Sequence, residues 1–164
     1  MTFAAFPTTD DEDVWRIIDG DEMTSAILIR RGTLNEALLV LAQVDELAQG
    51  RPLASFEGRL SAEHLILVAE CDGQLVGFKI GYALDSCTFY SWIGGISPLF
   101  RRQGVGQALL ETQQNWAKRH GYCTVEVKSS DAFPQMLSML RRNEYLFIKK
   151  LEGKQLYRKS LISS

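Results

Sequence analysis

The segment ISPLFRRQGVGQALL, residues 96–110, is the stretch that decides the fold. The residues before it, from 88 to 96, are rich in aromatic and β-branched side chains and predict a strand. After it, one face of a predicted helix is formed by residues at helical spacing: Val105, Ala108, Leu109, Thr112 and Trp116. The segment therefore predicts a strand, a short basic loop with two glycines, and a helix.

The loop between this strand and this helix is suited to binding a phosphate. Backbone N–H groups in the first turn of a helix lack partners and carry partial positive charge, and an anion satisfies both. Gly104 and Gly106 let a ligand approach the backbone closely, and Arg101 and Arg102 add charge. The Gly-Lys-Ser/Thr ending of a mononucleotide loop and the third glycine of a dinucleotide fingerprint are both missing. The alternative is a helix N-terminus that uses Arg and Gly only in its cap.

The pattern Arg-x-x-Gly-x-Gly, after a strand that ends in Ile-x-Pro, resembles motif A of the GCN5-related N-acetyltransferase (GNAT) superfamily. The resemblance extends over the order of elements from about residue 25 to the C-terminus. It implies that the loop binds the pyrophosphate of acetyl-coenzyme A (acetyl-CoA), which would be the cosubstrate. The residues that it assigns to coenzyme binding are Ile96, Ser97, Arg101, Arg102, Gln103, Gly104, Val105, Gly106, Gln107 and Ser130.

The chain is predicted to form one mixed α/β domain over residues 1–164, with residues 1–24 as an N-terminal extension. From Ala26 onward the predicted order is β-α-α-β-β-β-α-β-α-β-β. Thr33 and Glu36 form a capping box that begins the first helix. In the extension, the apolar residues between 14 and 18 predict either a short helix or a segment that covers a sheet edge. The resemblance implies a central, mostly antiparallel sheet with a splayed parallel strand pair and helices on both faces.

Two adjacent glycines, Gly94 and Gly95, lie inside the predicted strand before the loop. Glycine within a strand often marks a bulge or a close backbone approach. In the GNAT family, the corresponding strand is bulged, and the pantetheine arm pairs with it as a pseudo-strand, which we expect here at residues 95–97. The alternative is that the glycines only allow tight packing of Trp92 or of a helix.

The resemblance implies direct attack of an amine on the thioester, with the backbone N–H of Ile96 or of its neighbour as oxyanion donor. A base must also take a proton from the ammonium group. Tyr90 stands where many family members have a glutamate, and Glu126 is the second candidate. Each has a structural alternative, a core tyrosine and a solvated strand glutamate. Many family members have, near the position of Leu140, a tyrosine that acts as the general acid toward the thiolate. Leu140 cannot donate a proton.

Composition narrows the classes of function. The net charge of −2 disfavours a nucleic-acid partner, and no apolar run approaches the ~20 residues of a membrane span. The three cysteines have no Cys-x-x-Cys spacing, which indicates reduced thiols and a cytoplasmic location. With only His64 and His120, no metal site is expected.

The predicted function is transfer of an acetyl group from acetyl-CoA to a primary amine. The acceptor is left open between a small molecule, a protein N-terminus and a lysine, and the length of the acyl chain is also left open. So is the choice between a monomer and a homodimer. The alternative function is a non-catalytic or regulatory acyl-CoA-binding module on the same fold.

Overall fold

The protein is described by a computed structural model at residues 2–5, 14–19, 26–44 and 53–162, with backbone alone for 2–5, 14–19, 53 and 54. The described strands form one sheet of nine, in the order β1-β2-β3-β4-β5-β6-β7-β9-β8. The strands are β1 (Thr2–Ala5), β2 (Val14–Asp19), β3 (Ile27–Arg31), β4 (His64–Cys71), β5 (Gln74–Ala83), β6 (Thr88–Ile96), β7 (Thr124–Ser129), β8 (Leu146–Leu151) and β9 (Lys154–Ser160). The helices are α1 (Leu34–Leu41), α2 (Leu53–Arg59), α3 (Val105–Arg119) and α4 (Pro134–Arg142).

The sheet is covered by helices on both faces, as predicted. Leu65, Leu67 and Ala69 of β4 belong to a core shared with α3 and α4. Ile66 and Val68 belong to a second core shared with α1 and α2. The unbroken apolar run in β4 follows from this arrangement, because every side chain of a strand covered on both faces is buried.

The β6–β7 pair is parallel, whereas all other neighbouring strands are antiparallel. Its register runs only from Thr88 opposite Thr124 to Ser91 opposite Val127. Beyond Ser91, β6 continues to Ile96 without pairing to β7, so the strands splay toward their carboxyl ends. The predicted splayed pair is therefore confirmed.

The bulge in β6 lies at Trp92 rather than at the paired glycines. Ile80 of β5 is opposite Ile93, but the next residue, Gly81, is opposite Ser91. Trp92 is thus the extra residue, and the glycines lie beyond it in regular pairing with β5. The expectation that Gly94 and Gly95 form the bulge was wrong, because the register shift falls where β6 leaves β7.

Part of the N-terminal extension belongs to the sheet. Residues 14–19 form β2, which pairs antiparallel with β3, and residues 2–5 form β1, which pairs with β2. The interpretation as a short helix was wrong, and that of a segment at the sheet edge is nearer. Short apolar runs of this kind do not distinguish a helix from a strand by periodicity alone.

Cys87 and Cys123 form a disulfide, so the prediction that all thiols are reduced was wrong for these two residues. Cys87 immediately precedes β6 and Cys123 immediately precedes β7, and their Cα atoms lie 5.0 Å apart. Their sequence separation of 36 hides this proximity, which the parallel strand pairing creates. Cys71 remains a free thiol.

Candidate active site

A cleft of about 860 Å³ opens where β6 and β7 separate. One wall is the end of β6 that does not pair with β7, from Trp92 to Ile96. The other walls are the loop into α3, residues 128–130 after the splay, and the first turns of α4. The loop that the sequence predicts therefore lies beside the gap between β6 and β7.

The beginning of α3 is shaped to receive an anion. Gly104 is the N-cap residue and has a left-handed backbone, with φ of 84°, which glycine adopts without strain. Gly104 and Gly106 both line the cleft, and neither has a side chain that would cover the backbone there. A Cβ atom at Gly106 would meet only the sulfur of Met139, at 3.7 Å. The first N–H groups of α3 therefore lie at an open surface, with no side-chain cap on them.

Two arginines lie at the mouth of this loop. Arg101 and Arg102 are exposed and line the cleft, and the Arg101 Nε atom donates to the carbonyl oxygen of Ile96 at 3.1 Å. That bond folds the loop back on the end of β6. Arg102 has a positive φ of 64°, so the turn before Gly104 is tightly wound. The charge expected beside the helix N-terminus is thus held in place.

The structure brings eight of the ten predicted coenzyme-binding residues to the cleft. These are Ile96, Arg101, Arg102, Gly104, Val105, Gly106, Gln107 and Ser130. Ser97 and Gln103 are not among its lining residues. The Ser97 N–H donates to the carbonyl oxygen of Val76 at 2.8 Å, and the Gln103 amide donates to Leu99 at 3.4 Å. Gln107 is anchored to Asn143, with amide contacts of 2.7 and 2.8 Å.

The backbone of β6 offers donors to the cleft. Because the Ser97 N–H points toward β5, alternation along an antiparallel strand turns the N–H groups of Ile96 and Gly94 toward the splay. These are the groups that an extended ligand between β6 and β7 would meet. The sequence predicts Ile96 as such a donor, and the strand register adds Gly94.

Tyr90 lies in an aromatic cluster on the sheet face that α1 and α2 cover. Its ring meets Tyr82 edge-on at 5.5 Å, and Tyr82 meets Trp92 at 5.9 Å. Arg59 donates to the Tyr82 hydroxyl at 2.6 Å and lies 4.4 Å from the centroid of the Trp92 ring. Tyr90 itself is 8% exposed, so it is the buried end of this cluster.

Glu126 is directly opposite Tyr90 in the β6–β7 register. Its carboxylate accepts two hydrogen bonds from Arg158, at 2.6 and 2.9 Å. Both bonds are to the Oε2 atom, so this carboxylate is held by Arg158 rather than directed to a ligand. The pairing with Arg158 could not be predicted from the sequence, since 32 residues separate the two.

The sequence does not predict several other side chains that lie near the cleft. Lys128 lies two residues after Glu126 on the same face of β7, and its Nζ atom is 5.5 Å from the centroid of the Tyr90 ring. Arg59 and Tyr82 have no motif around them. Only the period-2 pattern of β7 could have indicated Lys128.

Leu140 is fully buried in the core. Tyr145 is the nearest buried tyrosine along the chain, and burial raises the pKa of its hydroxyl above the usual range. It is absent from the residues that line the cleft. Within the described residues, no cluster of side chains could hold a metal ion, and no helix is long and apolar enough to cross a membrane.

Residues 62–159 match the family described as "Acetyltransferase (GNAT) domain". A stretch of 75 residues is 35% identical to the L-2,4-diaminobutyric acid acetyltransferase of Nocardia farcinica, covering 44% of this chain and 39% of that protein. The chain thus matches well under half the length of this relative.

Solved structures share the fold. The ribosomal-protein-S18-alanine N-acetyltransferase of Escherichia coli superposes with a TM-score of 0.72 at 13% identity, covering 84% of this chain and 96% of that chain. The PaiA N-acetyltransferase of Thermoplasma acidophilum, in complex with coenzyme A, gives 0.68 at 15% identity, with 82% and 98% covered.

Proposed function

Because the chain belongs to the GNAT acetyltransferase family, we propose that it transfers the acetyl group of acetyl-CoA to a primary amine. The observation that carries the proposal is the single cleft in which the splay of β6 and β7 meets the glycine loop of α3. The relative of 35% identity is named as an acetyltransferase, which supports the same reaction.

The coenzyme would lie along the cleft with its pyrophosphate at the N-terminus of α3. The N–H groups of the first turn and the side chains of Arg101 and Arg102 supply partial and full positive charge there. The pantetheine arm would continue between β6 and β7, where the N–H groups of Gly94 and Ile96 are directed. The thioester would then lie close to the bulge at Trp92.

The reaction needs little beyond alignment and charge stabilisation. The amine nitrogen forms a bond to the thioester carbon, and the C–S bond breaks as the oxyanion collapses. An N–H group of β6 stabilises that oxyanion. The thiolate leaves without a protein acid, because a thiol of pKa about 8.5 is a good leaving group near neutral pH. The buried Leu140 fits this route.

The amine would approach from the side of the aromatic cluster, which lies on the α1 and α2 face. Tyr90 is the group that would position the amine or relay its proton, and Glu126 is the weaker candidate. The acceptor would be a small amine or an amino group of a protein rather than a nucleic acid, since the chain carries a net charge of −2.

One observation favours the alternative of a binding module without catalysis. The two positions at which the GNAT resemblance implies acid–base residues hold a buried tyrosine and a core leucine, Tyr90 and Leu140. The two functions separate in one assay. Thiol release from acetyl-CoA is followed with a panel of amines, beginning with L-2,4-diaminobutyrate, the acceptor in the name of the relative.

Amine-dependent release of coenzyme A supports the transferase. Binding of acetyl-CoA with no release on any amine supports the module, and absence of binding contradicts both.

The cytoplasmic location stays a proposal that the Cys87–Cys123 disulfide opposes, because disulfides are rare in a reducing cytosol. Thiol titration of freshly extracted protein tests it, and sedimentation velocity distinguishes a monomer from a homodimer.

A further inference from the structure

A second cavity of about 120 Å³ branches from the main cleft beneath the start of α3. It shares Gly94, Gly95, Ile96, Gly106, Met136 and Met139 with the cleft. Phe78, Lys79 and Leu109 complete its lining. Its lining includes Gly94, whose N–H group is directed into the splay, so the branch lies beside the part of the cleft that is proposed for the thioester.

Lys79 is the one charged residue in this lining. It is 4% exposed, and burial alone lowers the pKa of its ammonium group to about 8. Across the part of the chain that the structure describes, its side chain makes no hydrogen bond or ion pair. Isolated buried charges are costly, so buried lysines are normally paired.

The side chain of Lys79 follows the branch. Lys79 and Gly94 are partners in the β5–β6 register, and a Cβ atom at Gly94 would lie 3.4 Å from the Lys79 Cγ atom. Glycine at 94 thus leaves the stem of the lysine uncovered on its way into the cavity. Because Leu67 of the α3-side core is the β4 partner of Lys79, the side chain points to the α3 face.

Further unsatisfied polar groups lie next to Lys79 on the same face. Gly81 is two residues along β5, and a Cβ atom there would lie 2.6 Å from the Gln113 Nε2 atom. Both amide atoms of Gln113, and the Oγ atom of Ser91 opposite Gly81, are buried without a hydrogen-bond partner in the described structure. Neither residue lines the branch, so these groups mark a polar region of the core beside Lys79 and are not assigned to a ligand.

A role for Lys79 as the base toward the acceptor amine does not fit this placement. The aromatic cluster that contains Tyr90 lies on the opposite face of the sheet, and the amine is proposed to enter from there. A group on the α3 face lies on the side of the sheet away from the incoming amine. Lys79 is therefore better placed to contact the acyl chain than the nucleophile.

The branch is also larger than the methyl group of an acetyl chain requires. A cavity of ~150 Å³ takes a benzene-sized group of six heavy atoms. By the same measure, the branch takes about five heavy atoms beyond the carbonyl carbon. That is the length of a short acyl chain ending in a carboxylate.

We propose that this branch is the acyl pocket and that Lys79 recognises a terminal carboxylate, so that acyl-CoA thioesters of short dicarboxylic acids are donors in addition to acetyl-CoA. The inference rests on the proposed function. The carboxylate stays unchanged in the reaction: the amine forms the amide bond, the C–S bond breaks, and coenzyme A leaves with the proton that the amine loses.

The test compares two donors of equal carbon number, succinyl-CoA and butyryl-CoA, by calorimetry with coenzyme A as the reference. Wild-type protein is expected to bind succinyl-CoA at least about tenfold more tightly than butyryl-CoA. Lys79→Met, which keeps the length and removes the charge, should weaken succinyl-CoA binding at least about tenfold. It should leave butyryl-CoA and coenzyme A within about threefold. Lys149→Met, at an exposed lysine of β8, is the matched control and should change none of the three.

Equal affinity of the wild type for the two donors, or unchanged succinyl-CoA binding by Lys79→Met, overturns the inference and leaves the coenzyme site intact. Loss of all binding, including that of coenzyme A to the wild type, overturns the proposed function and this inference with it. If Lys79→Met does not fold, Lys79→Gln is used in its place. The ratio of the wild-type dissociation constants for succinyl-CoA and butyryl-CoA tests the inference in either case.

Discussion

Gly104 is the residue on which the coenzyme proposal depends most directly. Its φ of 84° and its position at the N-cap of α3 bring the backbone to the cleft surface. Gly104→Asp would place a side chain and a negative charge where the pyrophosphate is proposed to lie. We expect the Kd for coenzyme A to rise at least about tenfold, roughly 1.4 kcal/mol, by calorimetry.

Gly121→Asp is the matched control for this change. Gly121 follows the other end of α3, also has a positive φ (88°), and has open space around it. The substitution therefore adds the same backbone strain and the same charge away from the cleft. Equal effects of the two variants on coenzyme affinity would contradict the pyrophosphate site.

A substitution of Tyr90 tests whether this single side chain contributes to the reaction. Tyr90→Phe keeps the ring that packs against Tyr82 and removes the hydroxyl. With an identified acceptor, we expect kcat/KM to fall between about threefold and a hundredfold, within the reach of one acid–base or positioning group. Tyr122→Phe, which removes a hydroxyl bonded to Glu63 outside the cleft lining, is the control and should leave kcat/KM unchanged. Unaltered kinetics for Tyr90→Phe would return this residue to a purely structural role.

At the scale of elements, the sequence predicts those whose pattern is local. The capping box of α1 is present, with Thr33 and Glu36 bonded reciprocally, and the apolar run of β4 is a strand buried on both faces. The position of the bulge is not local. It depends on how β5 and β7 both pair with β6, so the glycine pair drew attention to the correct strand but to the wrong residue within it.

The α1 cap carries a pH-dependent contribution to stability. A hydrogen bond from Arg30 is the main cause that lowers the pKa of Glu36 below its usual 4.5, and the Thr33 N–H adds to it. A lowered carboxyl pKa stabilises the fold above its unfolded-state value, and this stabilisation is lost as the pH falls through the folded-state value. Glu36→Gln should therefore reduce the free energy of unfolding at pH 7 and flatten its decline below about pH 4.5.

Urea unfolding between pH 3 and 7 measures this effect. The control is Glu57→Gln, at an exposed glutamate of α2, which should follow the wild-type curve. A Glu36→Gln curve parallel to that of the wild type over the whole range would contradict the role of the cap.

At the scale of the whole molecule, the sheet contains a seam. Of the strands in the described residues, six lie on one side and three on the other, and the parallel β6–β7 pair joins them over only four residue pairs. The cleft occupies one end of the seam and the Cys87–Cys123 disulfide closes the other. The sequence predicts the loop at the cleft because its residues are contiguous. It does not predict Lys79, Lys128 or Arg158 near the site, because the sheet register alone brings them there.

The disulfide should stabilise this seam without taking part in coenzyme binding. Closing a loop over a sequence separation of 36 restricts the unfolded chain, which is worth about 2–4 kcal/mol. Replacing both cysteines, Cys87→Ala with Cys123→Ala, should lower the free energy of unfolding by that amount in urea. Cys71→Ala, at the free thiol, should not. Because the four residue pairs from Thr88 to Ser91 lie between the disulfide and the cleft, the Kd for coenzyme A should change less than about threefold. A double variant as stable as the wild type would show that the strand pairing alone holds the seam, and a large loss of affinity would show that the geometry of the splay depends on its far end.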